Sequence, residues 1–230
     1  MKKYFLIFII FITIINCSKE NNLDSNITKN SPEPIISGSV QNGLRSITLD
    51  EAKSGKLSFF RGDYVIVTHQ EEDTLLLIID SLGVTKKYPA PIGEKPYFKV
   101  KKTGTFSYII GDSKGTLSVS EYSQAQYQAV NAENAKKLIE NLDPLILDVR
   151  TQYEYDMGHL KNTQLLPVQI IQKNFTNLIQ YKDKPILIYC ASGNRSTVAS
   201  KVLIDNGFQR IYNMRYGIKE WYQKGYEIEK

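Results

Sequence analysis

Cys190 is followed by a glycine three residues later and by an arginine five residues later, in the segment YCASGNRS over residues 189–196. A thiol with small neighbours and a permanent cation nearby is the setting in which a cysteine ionises and acts as a nucleophile. The chain has one other cysteine, Cys17, which follows an apolar leader. The residue types therefore indicate thiolate chemistry at Cys190 and a different use for Cys17.

The elements around Cys190 are predicted to place it where α/β proteins bind ligands. PILIYC, residues 185–190, is an apolar strand, and STVASKVLIDNG is a helix that ends at Gly207. Ligands of such sheets sit beyond the carboxyl ends of the strands. Between strand and helix, a glycine that accepts positive φ lets the loop amides turn inward as an anion-binding nest, aided by the helix N-terminus. The loop residues are Ala191, Ser192, Gly193, Asn194 and Arg195, and the helix is expected to begin near Ser196.

The rest of the C-terminal half alternates apolar strands with helices. PLILDV (144–149) and RIYNM (210–214) are predicted strands, and NAENAKKLIENLD and GIKEWYQKG are predicted helices, the first capped by Asn131. Strands that are apolar throughout and alternate with helices predict a parallel sheet covered on both faces.

Four segments in order resemble the rhodanese family over residues 128–230: LILDVR, EYDMGHL, YCASGNRS and NGFQRIYNMRYGIKEW. The resemblance implies an α/β fold with a five-stranded parallel sheet, and sulfane sulfur carried as a persulfide on Cys190. Arg195 would steer the donor and brace the loop, while the amides of residues 191–196 stabilise the anion. Asp148 and Arg150 would support the loop from the neighbouring strand end. His159 is interpreted as a structural residue of a Gly-His turn, because an existing thiolate needs no general base.

The resemblance implies a sulfurtransferase of the thiosulfate or polysulfide type, with a small sulfur donor and a thiol or cyanide acceptor as partners, and we expect no metal or cofactor. Two alternatives stay open. One is a non-enzymatic redox sensor or protein-binding module on the same fold. The other is a cysteine-dependent phosphatase or arsenate reductase, but phosphatases of related fold place five residues between cysteine and arginine, and this chain has four.

The N-terminus resembles a bacterial lipoprotein signal over residues 1–17. Lys2 and Lys3 precede the apolar run of residues 4–15, which is short for a membrane span, and IINC ends at Cys17, the expected lipidation site. Residues 18–34 are polar and predicted to be a flexible tether. The chain is therefore expected in the bacterial cell envelope, attached through its lipid to the inner or outer membrane. The net charge of +5 comes from scattered lysines, so no nucleic-acid partner is expected.

Residues 35–121 contain short strands with glycine-rich turns and are predicted to form an all-β antiparallel sandwich. The RGD segment, residues 61–63, is interpreted as a hairpin turn. The stretch resembles a cupredoxin without copper ligands, since it has no cysteine and one histidine, His69. We expect it to serve as a spacer or as a docking surface for a protein partner whose identity the residues do not give.

Overall fold

The structure, a computed structural model, describes residues 35–69 and 73–230. The predicted signal segment with Cys17, and the tether that follows it, lie outside the described residues. No helix within the described ranges has both the length and the apolar character that a membrane span requires.

The first part of the described chain contains nine strands and one short helix. They are β1 (Ser39–Gln41), β2 (Leu44–Thr48), α1 (Leu49–Lys53), β3 (Lys56–Phe60), β4 (Tyr64–Thr68), β5 (Leu75–Ile79), β6 (Val84–Tyr88), β7 (Phe98–Lys99), β8 (Gly104–Ile110) and β9 (Ser113–Ser120). Their alternating apolar residues line a shared core that includes Phe59, Val65, Ile110 and Leu117.

The prediction that this part is an antiparallel, all-β sandwich is wrong in its strand pairing. The strands form two mixed sheets, with orders β1-β2-β4-β7 and β3-β9-β8-β5-β6. The pairs β2–β4 and β3–β9 are parallel, and helix α1 lies between β2 and β3. The RGD turn joins β3 in one sheet to β4 in the other, so it does not close a hairpin. Hydropathy patterns give strands but not their partners, which explains the error. The likeness to cupredoxins stays a prediction.

The second part is the α/β half. It contains β10 (Gln126–Val130), α2 (Ala132–Leu142), β11 (Leu145–Asp148), α3 (Gln152–Asp156), β12 (Thr163–Leu165), α4 (Val168–Asn174), β13 (Ile186–Tyr189), α5 (Asn194–Asp205), β14 (Arg210–Met214) and α6 (Gly217–Gln223). A 3-10 helix, Phe175–Tyr181, follows α4. The five strands form one sheet of order β10-β14-β13-β11-β12, and every pair in it is parallel. The predicted five-stranded parallel sheet is confirmed.

Helices cover both faces of this sheet because its central strands are apolar throughout. All residues of β13 and β14 are buried. One core packs α2 and α6 against one face, and the other packs α4 and α5 against the opposite face. Asn131 caps α2 as predicted, accepting a hydrogen bond from the Asn134 amide at 2.8 Å. The sheet therefore forms a rigid support for the loops at its carboxyl edge.

The two parts belong to one compact unit in the described chain. The Arg210 guanidinium donates to the carbonyl of Gly62, and Arg61 forms an ion pair of 3.0 Å with Asp183. Tyr97 adds a hydrogen bond to the Asn141 carbonyl. Arg210 is the first residue of β14, Asp183 lies three residues before β13, and Asn141 lies in the last turn of α2, the helix that leads into β11. These contacts therefore lie toward the amino ends of the parallel strands. The boundaries proposed from sequence, 35–121 and 128–230, stay predictions.

Candidate active site at Cys190

Cys190 directly follows β13 at the carboxyl end of the parallel sheet, the edge that the sequence predicts for ligand binding. Its side chain is 1% exposed and packs in the core that lies under α4 and α5. Within the described part of the chain it is a free thiol. The site is therefore a buried thiol at the carboxyl ends of the strands, and the loop that follows it limits the size of any group added to the sulfur.

The loop after Cys190 turns back on the sulfur through Gly193. This glycine caps α5 with a φ of 101°, and its amide donates a hydrogen bond to Cys190 Sγ at 3.1 Å. The hydroxyl of Ser196 lies 3.7 Å from the same sulfur. Helix α5 begins at Asn194, two residues before the predicted start, so its first turn belongs to the sulfur-binding loop. The Gly193 amide therefore faces the sulfur, and the part that the other amides of residues 191–196 play in stabilising a persulfide stays a prediction.

Two opposing effects act on the pKa of the Cys190 thiol. Burial raises it, and this is the largest single effect. The backbone amides of Ser196, Ser192 and Gly193, together with the Ser196 hydroxyl, hydrogen-bond the sulfur and lower the pKa. The hydrogen bonds prevail, and the pKa of Cys190 lies below its ordinary value. The loop therefore favours a thiolate although it encloses the sulfur.

A second layer of backbone contacts fixes the loop from outside. The Ile218 amide donates to the Cys190 carbonyl at 2.9 Å, and the Lys219 amide donates to the Ala191 carbonyl at 3.3 Å. Gly217, at the start of α6, makes this approach possible: a Cβ there would lie 2.5 Å from the carbonyl carbon of Ala191. No role for Gly217 was predicted from the sequence, although a glycine between a buried strand and a predicted helix was an available signal.

Arg195 forms a two-pronged ion pair with Glu154. Its Nη1 and Nη2 lie 2.7 Å and 2.6 Å from the two carboxylate oxygens. Hydrogen bonding to Glu154 raises the pKa of Arg195, with a smaller contribution from Cys190. This pair ties α5 to α3, so the structure places Arg195 as a brace of the loop, and its role in steering a donor stays a prediction. The pairing of Glu154 with Arg195 was not predicted from the sequence.

Asp148 and Arg150 pair with each other beneath the loop. Arg150 Nη2 lies 2.6 Å from Asp148 Oδ2 and 2.8 Å from the carbonyl of Gly158, and both side chains are buried. The guanidinium also lies over the ring of Tyr189, 5.6 Å from its centroid. These contacts reach Tyr189 on β13 and the Gly158 turn, so the pair supports the strand end that carries Cys190.

The His159 ring is engaged in local structure. Its Nδ1 lies 3.1 Å from the carbonyl of Tyr155, and its ring stacks on the Tyr155 ring at 3.7 Å. Its backbone pairs with that of Glu229. These contacts support the structural role expected from the sequence.

Of the remaining residues in the loop after Cys190, Ser192 and Asn194 are exposed and Ala191 is half-buried.

Residues 131–224 match the family description "Rhodanese-like domain". The α/β half is a rhodanese-like domain. Among solved structures, a rhodanese-related protein from Thermoplasma volcanium is 28% identical and covers 45% of this chain and 98% of its own, with a TM-score of 0.40. A rhodanese-like domain protein from Staphylococcus aureus is 32% identical over 45% of this chain and 99% of its own, with a TM-score of 0.39.

Curated relatives of the rhodanese-like domain carry a different name from the one expected. The proteins from Photorhabdus laumondii and Yersinia pestis named tRNA uridine(34) hydroxylase are 32% and 31% identical over 43% and 56% of this chain. The chain spans only 29% to 36% of the length of these relatives.

The prediction that the chain is a sulfurtransferase of the thiosulfate or polysulfide type is contradicted by these relatives. They are named hydroxylases, although they share the rhodanese-like segment. The physical reason for the error is that local structure sets only how readily a cysteine ionises. Here that structure is a strand end, a glycine loop and the first turn of a helix. They do not determine the reaction in which that cysteine takes part.

Proposed function

We propose that Cys190 of the rhodanese-like domain is a nucleophilic thiolate that holds one sulfur atom as a persulfide. The observation that carries the proposal is the hydrogen bond of 3.1 Å from the Gly193 amide to Cys190 Sγ, inside a loop whose amides lower the thiol pKa. The proposal concerns formation of this adduct. It assigns no catalytic transfer of the sulfur to an acceptor.

The adduct forms by a balanced exchange with a sulfane-sulfur donor of the polysulfide class. The Cys190 thiolate attacks a terminal sulfane sulfur, a new S–S bond forms, and the donor S–S bond breaks. The electron pair of the broken bond leaves on the shortened polysulfide, so the charge is conserved and no further oxidant is needed. The new terminal sulfur is anionic, and the loop amides are the groups that can stabilise it.

The size of the loop favours a single added atom. Cys190 and Arg195 are separated by four residues, and Arg195 is engaged by Glu154 and not directed at a bulky anion. Because the thiol is 1% exposed, the added sulfur would lie beside the loop amides, among them that of Gly193.

The test is mass spectrometry of the full chain after incubation with polysulfide, with peptide mapping to separate Cys190 from Cys17. We expect a gain of about 32 Da, one sulfur atom, on the Cys190 peptide. Cys190→Ser should lose this gain. His159→Ala should retain it, because the His159 ring bonds to Tyr155 and lies outside the loop.

The same measurement separates the proposal from the redox-sensor alternative. With peroxide in place of polysulfide, a sensor thiolate gains about 16 Da as a sulfenic acid. A Cys190 that takes up oxygen but no sulfur from any polysulfide would overturn the persulfide proposal in favour of the sensor.

A role in tRNA hydroxylation is a second candidate, supported by the 30% to 32% identity to proteins of that name. Its test is the amount of hydroxylated uridine at position 34 in tRNA from cells with and without the gene. Complementation with Cys190→Ser as well as the natural chain shows whether the thiol is required. Equal amounts of the hydroxylated uridine in both strains would remove this candidate.

A further inference from the structure

Gly193 bonds to the Cys190 sulfur through its backbone amide and to helix α5 through its backbone carbonyl. Its amide donates to Cys190 Sγ at 3.1 Å, and its carbonyl accepts bonds of 2.9 Å from the hydroxyls of Ser196 and Thr197 and of 3.1 Å from the Thr197 amide. These bonds fix the peptide plane that follows Gly193, and the φ of 101° and ψ of −24° of Gly193 relate that plane to the preceding one, which carries the amide. The direction of its amide toward the sulfur therefore depends on what holds these donors in place.

The Thr197 hydroxyl is held by Asn213, a residue of the neighbouring strand β14. Asn213 Nδ2 donates at 2.9 Å to Thr197 Oγ1 and at 2.9 Å to the Tyr127 hydroxyl on β10. Both protons of the amide nitrogen are thus used, one on each hydroxyl. A continuous path of hydrogen bonds runs from Tyr127 through Asn213 and Thr197 to Gly193 and the sulfur.

Asn213 is unusual in its surroundings. It is 1% exposed in a strand whose other residues are also buried, and its Oδ1 has no hydrogen-bond partner among the described residues. A buried polar atom without a partner is destabilising, so an apolar residue of similar size would suit the core better. The unpartnered Oδ1 offsets part of what the two hydrogen bonds of Nδ2 contribute to stability, and the contact with Thr197 gives this asparagine a second role.

We propose that Asn213 and Thr197, anchored by Tyr127, are positioning residues that hold Gly193 so that its amide points at Cys190. The inference rests on the proposed role of Cys190 as a thiolate nucleophile and adds residues from β10, α5 and β14 to the site. None of them touches the sulfur. They act through Gly193, so their effect is on how readily Cys190 ionises.

The test is titration of the Cys190 thiolate by its ultraviolet absorbance in the full chain, each variant being compared with the same variant carrying Cys190→Ser. This subtraction removes the signals of Cys17 and the tyrosines. Asn213→Leu and Thr197→Val should each raise the midpoint of the titration by about half to one pH unit, the effect of weakening one hydrogen bond to the anion. Thr197→Ser keeps the hydroxyl and should titrate as the natural chain does.

Unfolding measurements separate positioning from simple stabilisation. Asn213→Leu removes the unpartnered Oδ1 from the core together with the two hydrogen bonds of Nδ2, so the two effects on stability oppose each other and we expect a small net change, while the thiolate forms less readily. Tyr108→Phe is the control, because it removes a buried hydrogen bond of 2.7 Å to Ala52 in the first part of the chain. It should lower stability and leave the titration unchanged.

A natural titration midpoint in both Asn213→Leu and Thr197→Val would overturn the inference. Should Asn213→Leu fail to fold, the comparison of Thr197→Val with Thr197→Ser on α5 decides the question alone. The titration uses no sulfur donor, so its result is independent of whether Cys190 accepts sulfur from polysulfide. Failure of the persulfide proposal and failure of this one are therefore seen in different measurements.

Discussion

Replacement of Gly193 with alanine is expected to damage both the fold and the thiolate. Gly193 has a φ of 101°, in the left-handed region that residues with a Cβ rarely adopt. An added Cβ would overlap the carbonyl oxygen of Arg215 and lie 2.7 Å from its carbonyl carbon. The obstacle is backbone, so no side-chain rotation relieves it.

The magnitude follows from these two causes. A left-handed backbone costs a residue with a Cβ about 1–2 kcal/mol. The added Cβ would lie 1.7 Å from the carbonyl oxygen of Arg215. Non-bonded heavy atoms need more than about 3 Å, so the segment at Arg215 must move by roughly 1.5 Å, an overpacking that costs about 1–3 kcal/mol. The loss of about 2–5 kcal/mol is a large share of the stability of an ordinary domain, about 5–15 kcal/mol. The displaced amide should also raise the pKa of Cys190.

Urea unfolding and the thiolate titration measure the two effects, with Gly207→Ala as the matched control. Gly207 also has a positive φ, 82°, but the nearest atom to its added Cβ is the flexible Nζ of Lys182, at 3.4 Å. The same residue types change in both variants, so effects on the unfolded chain cancel in the comparison. We expect Gly207→Ala to lose only the backbone cost and to titrate as the natural chain does.

Equal destabilisation of the two variants, or a Gly193→Ala protein with an unchanged thiolate titration, would refute this reasoning. The first result would mean that the contact with Arg215 is not a constraint. The second would mean that the Gly193 amide does not stabilise the thiolate.

Three further predictions concern other parts of the chain. Gly217→Ala should destabilise the fold and slow persulfide formation, because its Cβ would lie 2.5 Å from the Ala191 carbonyl carbon. Urea unfolding measures the first effect and the rate of mass gain on the Cys190 peptide measures the second. A urea midpoint and a rate equal to those of the natural chain would contradict the prediction. Hydrogen bonding to Arg195 lowers the pKa of Glu154 from 4.5 to about 2, so its contribution to stability is complete above pH 4.5 and is lost as the pH falls through about 2. Glu154→Gln should therefore flatten the dependence of urea midpoint on pH in that window, and an unchanged slope would refute the pairing. Cys17→Ser should move the protein from the membrane fraction to the aqueous fraction of bacterial cells if the predicted lipid attachment occurs, and an unchanged distribution would contradict it.

The α/β half was predictable because its signals are local. The apolar run at residues 185–190 became β13 and Cys190, and RIYNM became β14 with the same bounds. Gly207 directly follows the last turn of the predicted helix, as its left-handed preference suggests. The position of Cys190 at the carboxyl edge followed from the order of strand, glycine loop and helix alone.

Contacts between distant segments could not be predicted in the same way. Glu154 and Arg195 are 41 residues apart in sequence, and nothing in either local segment indicates their ion pair. Asn213 was interpreted only as part of a buried strand, because its bond to Thr197 depends on which strand lies beside α5. The parallel pairs of the first part were missed for the same reason, since period-two patterns carry no information on partner or direction.

The anchoring of the first part through Arg210 has a consequence for how molecules reach the sulfur. Arg210 lies at the amino end of β14, and Cys190 follows the carboxyl end of the neighbouring strand β13. Through Arg210, the first part of the chain therefore contacts the end of the sheet opposite the Cys190 loop. Among the described residues, the groups that bond to the Cys190 loop all belong to the rhodanese-like half, so we expect a molecule that reaches the sulfur to contact that half. A chain in which the first part is exchanged for another should therefore keep the hydrogen bonds that surround the Cys190 sulfur.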